Sequence, residues 1–187
     1  DALDIAMSLL NNGNQTGTID KLVLDGEISD GGAGTIAFRE QGRLLVNCIP
    51  LYDENQRRYA SNKSTEKRTL EAIQKIANGE FEEWKIEAIK NEMCRRFDLM
   101  MEDNESIGNL LMNAFYNEQD LEEVLNYKDK IMAIGTEDIK RVAKQYLGAP
   151  KKVFEIEEGT PKKDKLPKPK IKSLESPKSE SAYCQYL

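Results

Sequence analysis

Histidine is missing from all 187 residues, so any zinc site that relies on imidazole is out of reach. Cysteine is scarce. Cys48, Cys94 and Cys184 are odd in number, widely spaced and form no Cys-x-x-Cys pair, so no structural metal is expected. Cys48 sits in a strand-like run and Cys94 in a helix-like one, where cysteine serves as a small buried apolar residue rather than a reactive thiol; neither fixes the compartment. No apolar run approaches the roughly 20 residues needed to cross a bilayer, and the N-terminus lacks the basic-then-apolar layout of a signal peptide. A soluble protein with no membrane partner is expected, its compartment open between bacterial periplasm and cytoplasm. Basic residues are outnumbered, 27 against 33, for a net charge of −6, which disfavours phosphate backbones and anionic lipid heads and so excludes nucleic acid as a partner.

The length supports one well-filled core and falls short of two ordinary domains. The chain opens inside a helical pattern at Asp1-Ala-Leu-Asp-Ile-Ala-Met and reads as a piece of something longer. Ala2, Leu3, Ile5, Ala6, Leu9 and Leu10 recur at helical spacing, and Asn11-Asn12-Gly13-Asn14 stops the helix. Thr16 or Thr18 can cap a short second helix with Ile19, Leu22 and Val23 inward, ended by Asp25-Gly26. Gly31, Gly32 and Gly34 then remove helix propensity. Two apolar runs, Thr35 to Phe38 and Leu44 to Ile49, flank Glu40-Gln41-Gly42 and predict an antiparallel hairpin closed off by Pro50.

Asp53 to Asn62 reads as a polar connection. Thr65 to Ala77 is helical, with Leu70, Ile73, Ile76 and Ala77 inward and Asn78-Gly79 as its stop. A long helix follows from about Glu82 to Glu102, facing in with Trp84, Ala88, Ile89, Met93, Phe97 and Met100 or Met101. Helices over Ser106 to Tyr116 and Asp120 to Ala133 come next. A last helix is capped by Thr136, holds Glu137 and Asp138 in its positively polarised first turn, and stops at a left-handed Gly148. Lys152-Val-Phe-Glu-Ile-Glu157 alternates at period two and predicts a closing strand. Beyond Gly159, residues 160–187 hold seven lysines against three acids together with Pro161, Pro167, Pro169 and Pro177. That composition predicts an extended inter-domain linker after a domain over 1–159. Tyr183, Tyr186 and Leu187 give its end an amphipathic character.

Other candidate sites have plainer readings. Glu102, Asp103 and Glu105 could bind a cation, but at a helix junction acids cap the next helix. Gly31-Gly32-Ala33-Gly34 lacks the lysine and the strand-then-helix frame of a phosphate cradle, and reads as a flexible loop or bulged strand start. Met93, Met100, Met101 and Met112 lie at helical spacing and read as core filler.

The order of elements, with Asp1-Ala-Leu-Asp-Ile-Ala-Met-Ser-Leu-Leu10, Ile19-Asp-Lys-Leu22, Glu87-Ala-Ile-Lys90, Glu105-Ser106 and above all Ile134-Gly-Thr-Glu-Asp-Ile-Lys-Arg-Val-Ala-Lys-Gln-Tyr-Leu147, resembles the second half of an M16-family domain, the insulinase, pitrilysin and mitochondrial processing peptidase group. The resemblance spans roughly residues 1–158. It implies an α+β fold with helices packed on one face of a mainly antiparallel sheet. It also implies a parent zinc metalloendopeptidase of paired domains around a peptide-digesting chamber. In that family the zinc sits on a His-x-x-Glu-His helix and a distal glutamate, which a chain without histidine cannot build. An arginine and a tyrosine, which in some family halves help hold substrate after the short helix, are also absent. Val23 or Leu24 and Ser29 or Asp30 stand at those positions.

The resemblance therefore implies no catalytic and no metal-binding residue here, and it assigns no substrate-binding residue. It implies no cofactor in this chain, with zinc in the parent's catalytic domain. The expected function is a non-catalytic structural half-domain that helps wall the substrate chamber. Its expected partners are sister half-domains, peptide substrates and, through a bare sheet edge, a second copy. The alternative is a non-enzymatic scaffold on the same fold; an upstream His-x-x-Glu-His stretch separates the two. An unrelated helical adaptor would require the Leu44–Ile49 and Val153–Ile156 runs not to share a sheet.

Overall fold

The chain turns on helix α1 (Ala2–Ser8), whose apolar stripe and following turn place Ile5, Ala6, Met7, Leu9 and Leu10 out of contact with water. The computed structural model describes residues 1–37 and 41–156. The expected linker over 160–187 lies outside them. Around α1 lie the strand β1 (Ile28–Ala37), α4 (Glu83–Met100) and α8 (Thr136–Val142); α2 (Thr18–Leu24) rests on β1 and on α3 (Asn62–Ala77), which also packs on strand β2 (Gly42–Pro50) and on a wider, π-helical last turn over Ala143–Leu147. Ile19, Ile28, Ala72, Ile73, Ile76, Ile86, Ile89, Ile139, Val142 and Leu147 complete one apolar core. The fold class is α+β, with α1, α2 and α3 on one face of an antiparallel β1–β2 pair.

Neither predicted threonine cap is used. Gly17 caps α2, and Asp20, three residues on and only 6% exposed, reaches back to it. The Asp20 carboxylate accepts from the backbone N–H of Gly17 at 2.9 Å, from that of Asn12 at 3.0 Å, and from the Asn11 side-chain amide. It thereby pairs orphan donors at the start of one helix and just past the end of another. Asp138 repeats the device more loosely at Gly135, 3.4 Å from its N–H, in place of the expected Thr136 cap. Thr18 and Thr136 are instead the first residues of their helices.

The strands begin earlier than the apolar runs suggested. β1 takes in Gly31–Gly34 in regular register, neither loop nor bulge, and the one irregularity falls before them, between Ile28 and Asp30. Gly31 is small because α2 rests on it: a Cβ there would lie 2.6 Å from Ile19 Cγ2. The expected polar connection over Asp53–Asn62 contains a second, two-residue-stranded hairpin, β3 (Tyr52–Asp53) and β4 (Arg58–Tyr59). Its cross-strand rings meet edge-on at 5.0 Å, and Asp53 accepts from the amides of Asn55 and Gln56 to form the turn.

α4 keeps Ile89, Met93 and Phe97 of its predicted stripe and adds Ile86 and Lys90, while Trp84, expected inward, is 56% exposed. The predicted helix over Asp120–Ala133 is two, α6 (Leu121–Leu125) and α7 (Tyr127–Ala133), broken at Asn126. Tyr127 stacks on Phe97 with centroids 5.1 Å apart, and Lys128 pairs with Asp98 at 2.8 Å, so α7 follows α4 rather than α6. Lys90, 5% exposed, lies 3.4 Å from Glu87 Oε1 and 3.4 Å from the Met132 carbonyl oxygen, tying the end of α7 to α4.

Two terminal features differ from expectation. Gly148 has φ −77°, not a left-handed value; it is small because a Cβ would press into the Lys144 carbonyl. The predicted closing strand is not formed among the described residues, Glu157 lying outside them: residues 151–156 carry no strand, Phe154 and Ile156 are exposed, and the described sheets are the β1–β2 and β3–β4 pairs. Alternation names two faces of a strand but supplies no edge for it to pair with.

Asp20→Ala is expected to destabilise the chain by about 2–3 kcal/mol in urea unfolding, since it strands buried donors, whereas Asp25→Ala, at the exposed end of α2, shifts it by less than about 0.5 kcal/mol.

Candidate interaction surface

The β1–β2 hairpin offers the longest stretch of regular backbone outside the helices, and its two faces differ. Ile28, Ala33, Leu44, Val46 and Cys48 look toward the core. On the opposite face Ile36, Leu45 and Ile49 are exposed, and the residues across from Leu45 and Asn47 are Gly34 and Gly32. That face is therefore a shallow apolar strip with almost bare backbone along β1. Neither strand has a further strand beside it among the described residues. An unpaired edge presents a row of N–H and C=O groups to whatever extended segment reaches it.

The sequence candidates fall around this frame without converging. Val23 packs at the core margin and Leu24 is exposed. Ser29 accepts from the Tyr52 N–H at 3.1 Å through its hydroxyl, and Asp30 accepts from the Gly31 N–H at 2.8 Å. Both serve local backbone. Cys48 and Cys94 are half-buried, and burial pushes the Cys48 thiol above its ordinary range. Met93 packs on the core, but Met112 is exposed on α5 (Asn104–Tyr116), contrary to the filler reading.

Of the acidic trio, Asp103 is the N-cap of α5. Its carboxylate accepts from the Ser106 N–H at 2.7 Å, while Glu102 and Glu105 are exposed beside it. Hydrogen bonds from the Ser106 side chain first, and its amide second, hold the Asp103 carboxyl below the usual carboxylate range. No group of three histidine, cysteine, aspartate or glutamate side chains able to hold a metal ion occurs among the described residues. No helix among them is long and apolar enough to cross a membrane.

Solved structures share this arrangement. The chain superposes on a protease from Helicobacter pylori with a TM-score of 0.63 at 18% identity, over 78% of its own length. The inactive peptidase domain of an inferred zinc protease from Bordetella parapertussis matches with a TM-score of 0.63 at 17% identity, and an inferred zinc protease from Bordetella pertussis Tohama I with 0.63 at 16%, each over 78% of this chain. The fold is that of zinc-protease peptidase domains. It agrees with the resemblance read from the sequence, and it prevails over the helical-adaptor reading even though the two apolar runs named for that test do not share a sheet. The chain spans 34% of the Helicobacter protein and 76% and 77% of the two Bordetella chains. No protein-family model and no curated protein matches the sequence.

The Asp103 cap gives a pH signature. Its carboxyl titrates lower in the folded chain than in the unfolded one, so its contribution is complete above the unfolded value and is lost as pH falls through the folded value. In an NMR titration the Asp103 carboxyl carbon and the Ser106 amide should move together with a midpoint below that of an unstructured aspartyl peptide, and Asp103→Asn should abolish the step. A midpoint equal to the peptide's would remove the cap from the account.

Proposed function

We propose that this chain is a non-catalytic structural half-domain of an M16-type zinc metallopeptidase. It helps to form the peptide-substrate chamber and packs against sister half-domains. One observation carries the reading: the fold of zinc-protease peptidase domains is built here from a sequence with no histidine. A zinc ion with histidine ligands has no donors in this chain, and the described carboxylates do not gather into a replacement set. The residues do not fit the metal, and no catalytic step is assigned to them. Zinc belongs, on this reading, to another domain of the parent.

The apolar strip and unpaired edges of β1–β2 support the packing role, since a half-domain meets its mates through sheet and helix surfaces. Extended peptide, or a strand from a second copy, fits the same edge by main-chain pairing. The Lys/Pro-rich composition of residues 160–187 suits a spacer that hands the chain on to a following domain. A His-x-x-Glu-His helix encoded upstream would join the chain to an active parent; its absence would leave the scaffold reading.

The purified chain, incubated with zinc and an unfolded casein, is expected to release no peptides above a blank containing chelator. Chelator-sensitive cleavage that persists after repurification would contradict the non-catalytic assignment. Leu45→Lys on the open face should lower any concentration-dependent dimer seen by sedimentation while leaving the melting temperature unchanged within about 2 °C, as surface substitutions usually do.

A further inference from the structure

α5 is a 13-residue helix with a single buried residue, Ala114, and its main neighbour is the short α6. Its apolar side chains nevertheless form two adjacent ridges at spacing four, Leu111 with Phe115 and Met112 with Tyr116, all exposed, Phe115 to 87%. α6 adds a third exposed pair at the same spacing, Leu121 and Leu125. An amphipathic helix with so little of its apolar side covered is built to receive something.

Charge identifies what. From Asp98 to Tyr127 the sequence contains eight acidic residues and no lysine or arginine. Asp98 and Glu123 are paired with Lys128 and Lys130, and Asp103 and Asp120 cap helices. Glu102, Glu105 and Glu122 are exposed and make no ion pair among the described residues. An apolar ridge rimmed by carboxylates repels anionic lipid and nucleic acid, and a second copy of the same surface would set carboxylate against carboxylate. Ridges at spacing four fit the grooves of another helix.

We propose that the α5–α6 arm docks a helical segment of another polypeptide, one with an apolar stripe flanked by lysine or arginine. This surface is separate from the hairpin edge, and its argument does not depend on the protease parentage. The docked segment lies along Leu111, Met112, Phe115 and Tyr116 with its basic flanks toward Glu105 and Glu122.

Fluorescence anisotropy on the full chain tests this with a labelled 14-residue Leu/Lys peptide of helical repeat. A scrambled peptide of the same composition and a Leu/Glu peptide of the same repeat serve as controls. The Leu/Lys helix should bind at least ten-fold more tightly than either control. The double variants Met112→Ser/Phe115→Ser and Glu105→Lys/Glu122→Lys should each weaken it at least ten-fold, with circular dichroism unchanged because α5 supports little of the core. Glu66→Lys/Glu71→Lys on α3 should leave it as it was. Equal binding of the scrambled peptide, indifference to the α5–α6 variants, or self-association that those variants abolish would overturn the proposal. The casein assay can fail with this binding intact, and this binding can fail with that assay upheld.

Discussion

The carboxylate of Asp20 holds the reversal on which the rest of the molecule is hung. α1 must end and α2 begin within a few residues while both remain against the core, which leaves backbone donors of Asn12 and Gly17 with no helical partner. One nearly buried side chain satisfies both and takes the Asn11 amide as well. With that reversal fixed, Ile19 comes to rest on Gly31, and the hairpin is seated on the same apolar centre that α1 fills. Thr18 adds a long 3.4 Å bond to the Ala72 carbonyl, and Arg68 bonds the Glu27 carbonyl at 2.9 Å, so α3 is tied both to α2 and to the turn that follows it.

Periodicity made much of this frame legible. The stripe of α1, the hairpin and Ile73, Ile76 and Ala77 of α3 could be read because their buried faces repeat at the helical or strand interval, whereas Leu70, expected inward, stays outside the core. Chemistry outside that period was harder. Gly17-Thr-Ile-Asp20 and Gly135-Thr-Glu-Asp138 share one spacing, and an acid three residues after a glycine before an apolar run is a reciprocal capping signal. The neighbouring threonines, Thr18 and Thr136, are good caps by type but stand one position inside their helices. The burial of Lys90 is not legible in its helix, where a lysine is expected in water; Glu87 and the Met132 carbonyl opposite make it tolerable. The Val153–Ile156 alternation has the period of a strand, but nothing in a sequence says whether an edge awaits it. On the site, the lack of any histidine is read directly from the sequence, whereas the open face of α5 is not: its apolar stripe looks the same whether covered or bare.

Functionally the molecule divides into a well-filled half and surfaces that await company. The core joins α1, α3, α4 and α8, but β1–β2 and the α5–α6 arm carry exposed apolar rows that a self-sufficient domain would cover. That uneven distribution suits a component of a larger enclosure. The likeness to zinc-protease domains describes the fold, and the wall of such an enclosure is the place proposed for this chain.

Hydrogen exchange along the isolated chain bears most directly on this division. Amides of α1, α3 and Ile139–Leu147 should exchange only by global unfolding, while those of α5 and of the outward-facing positions of β1 and β2 should exchange faster by orders of magnitude. Equal protection of α5 and α1 would contradict the account, because it would mean that the arm belongs to the core and waits for no partner.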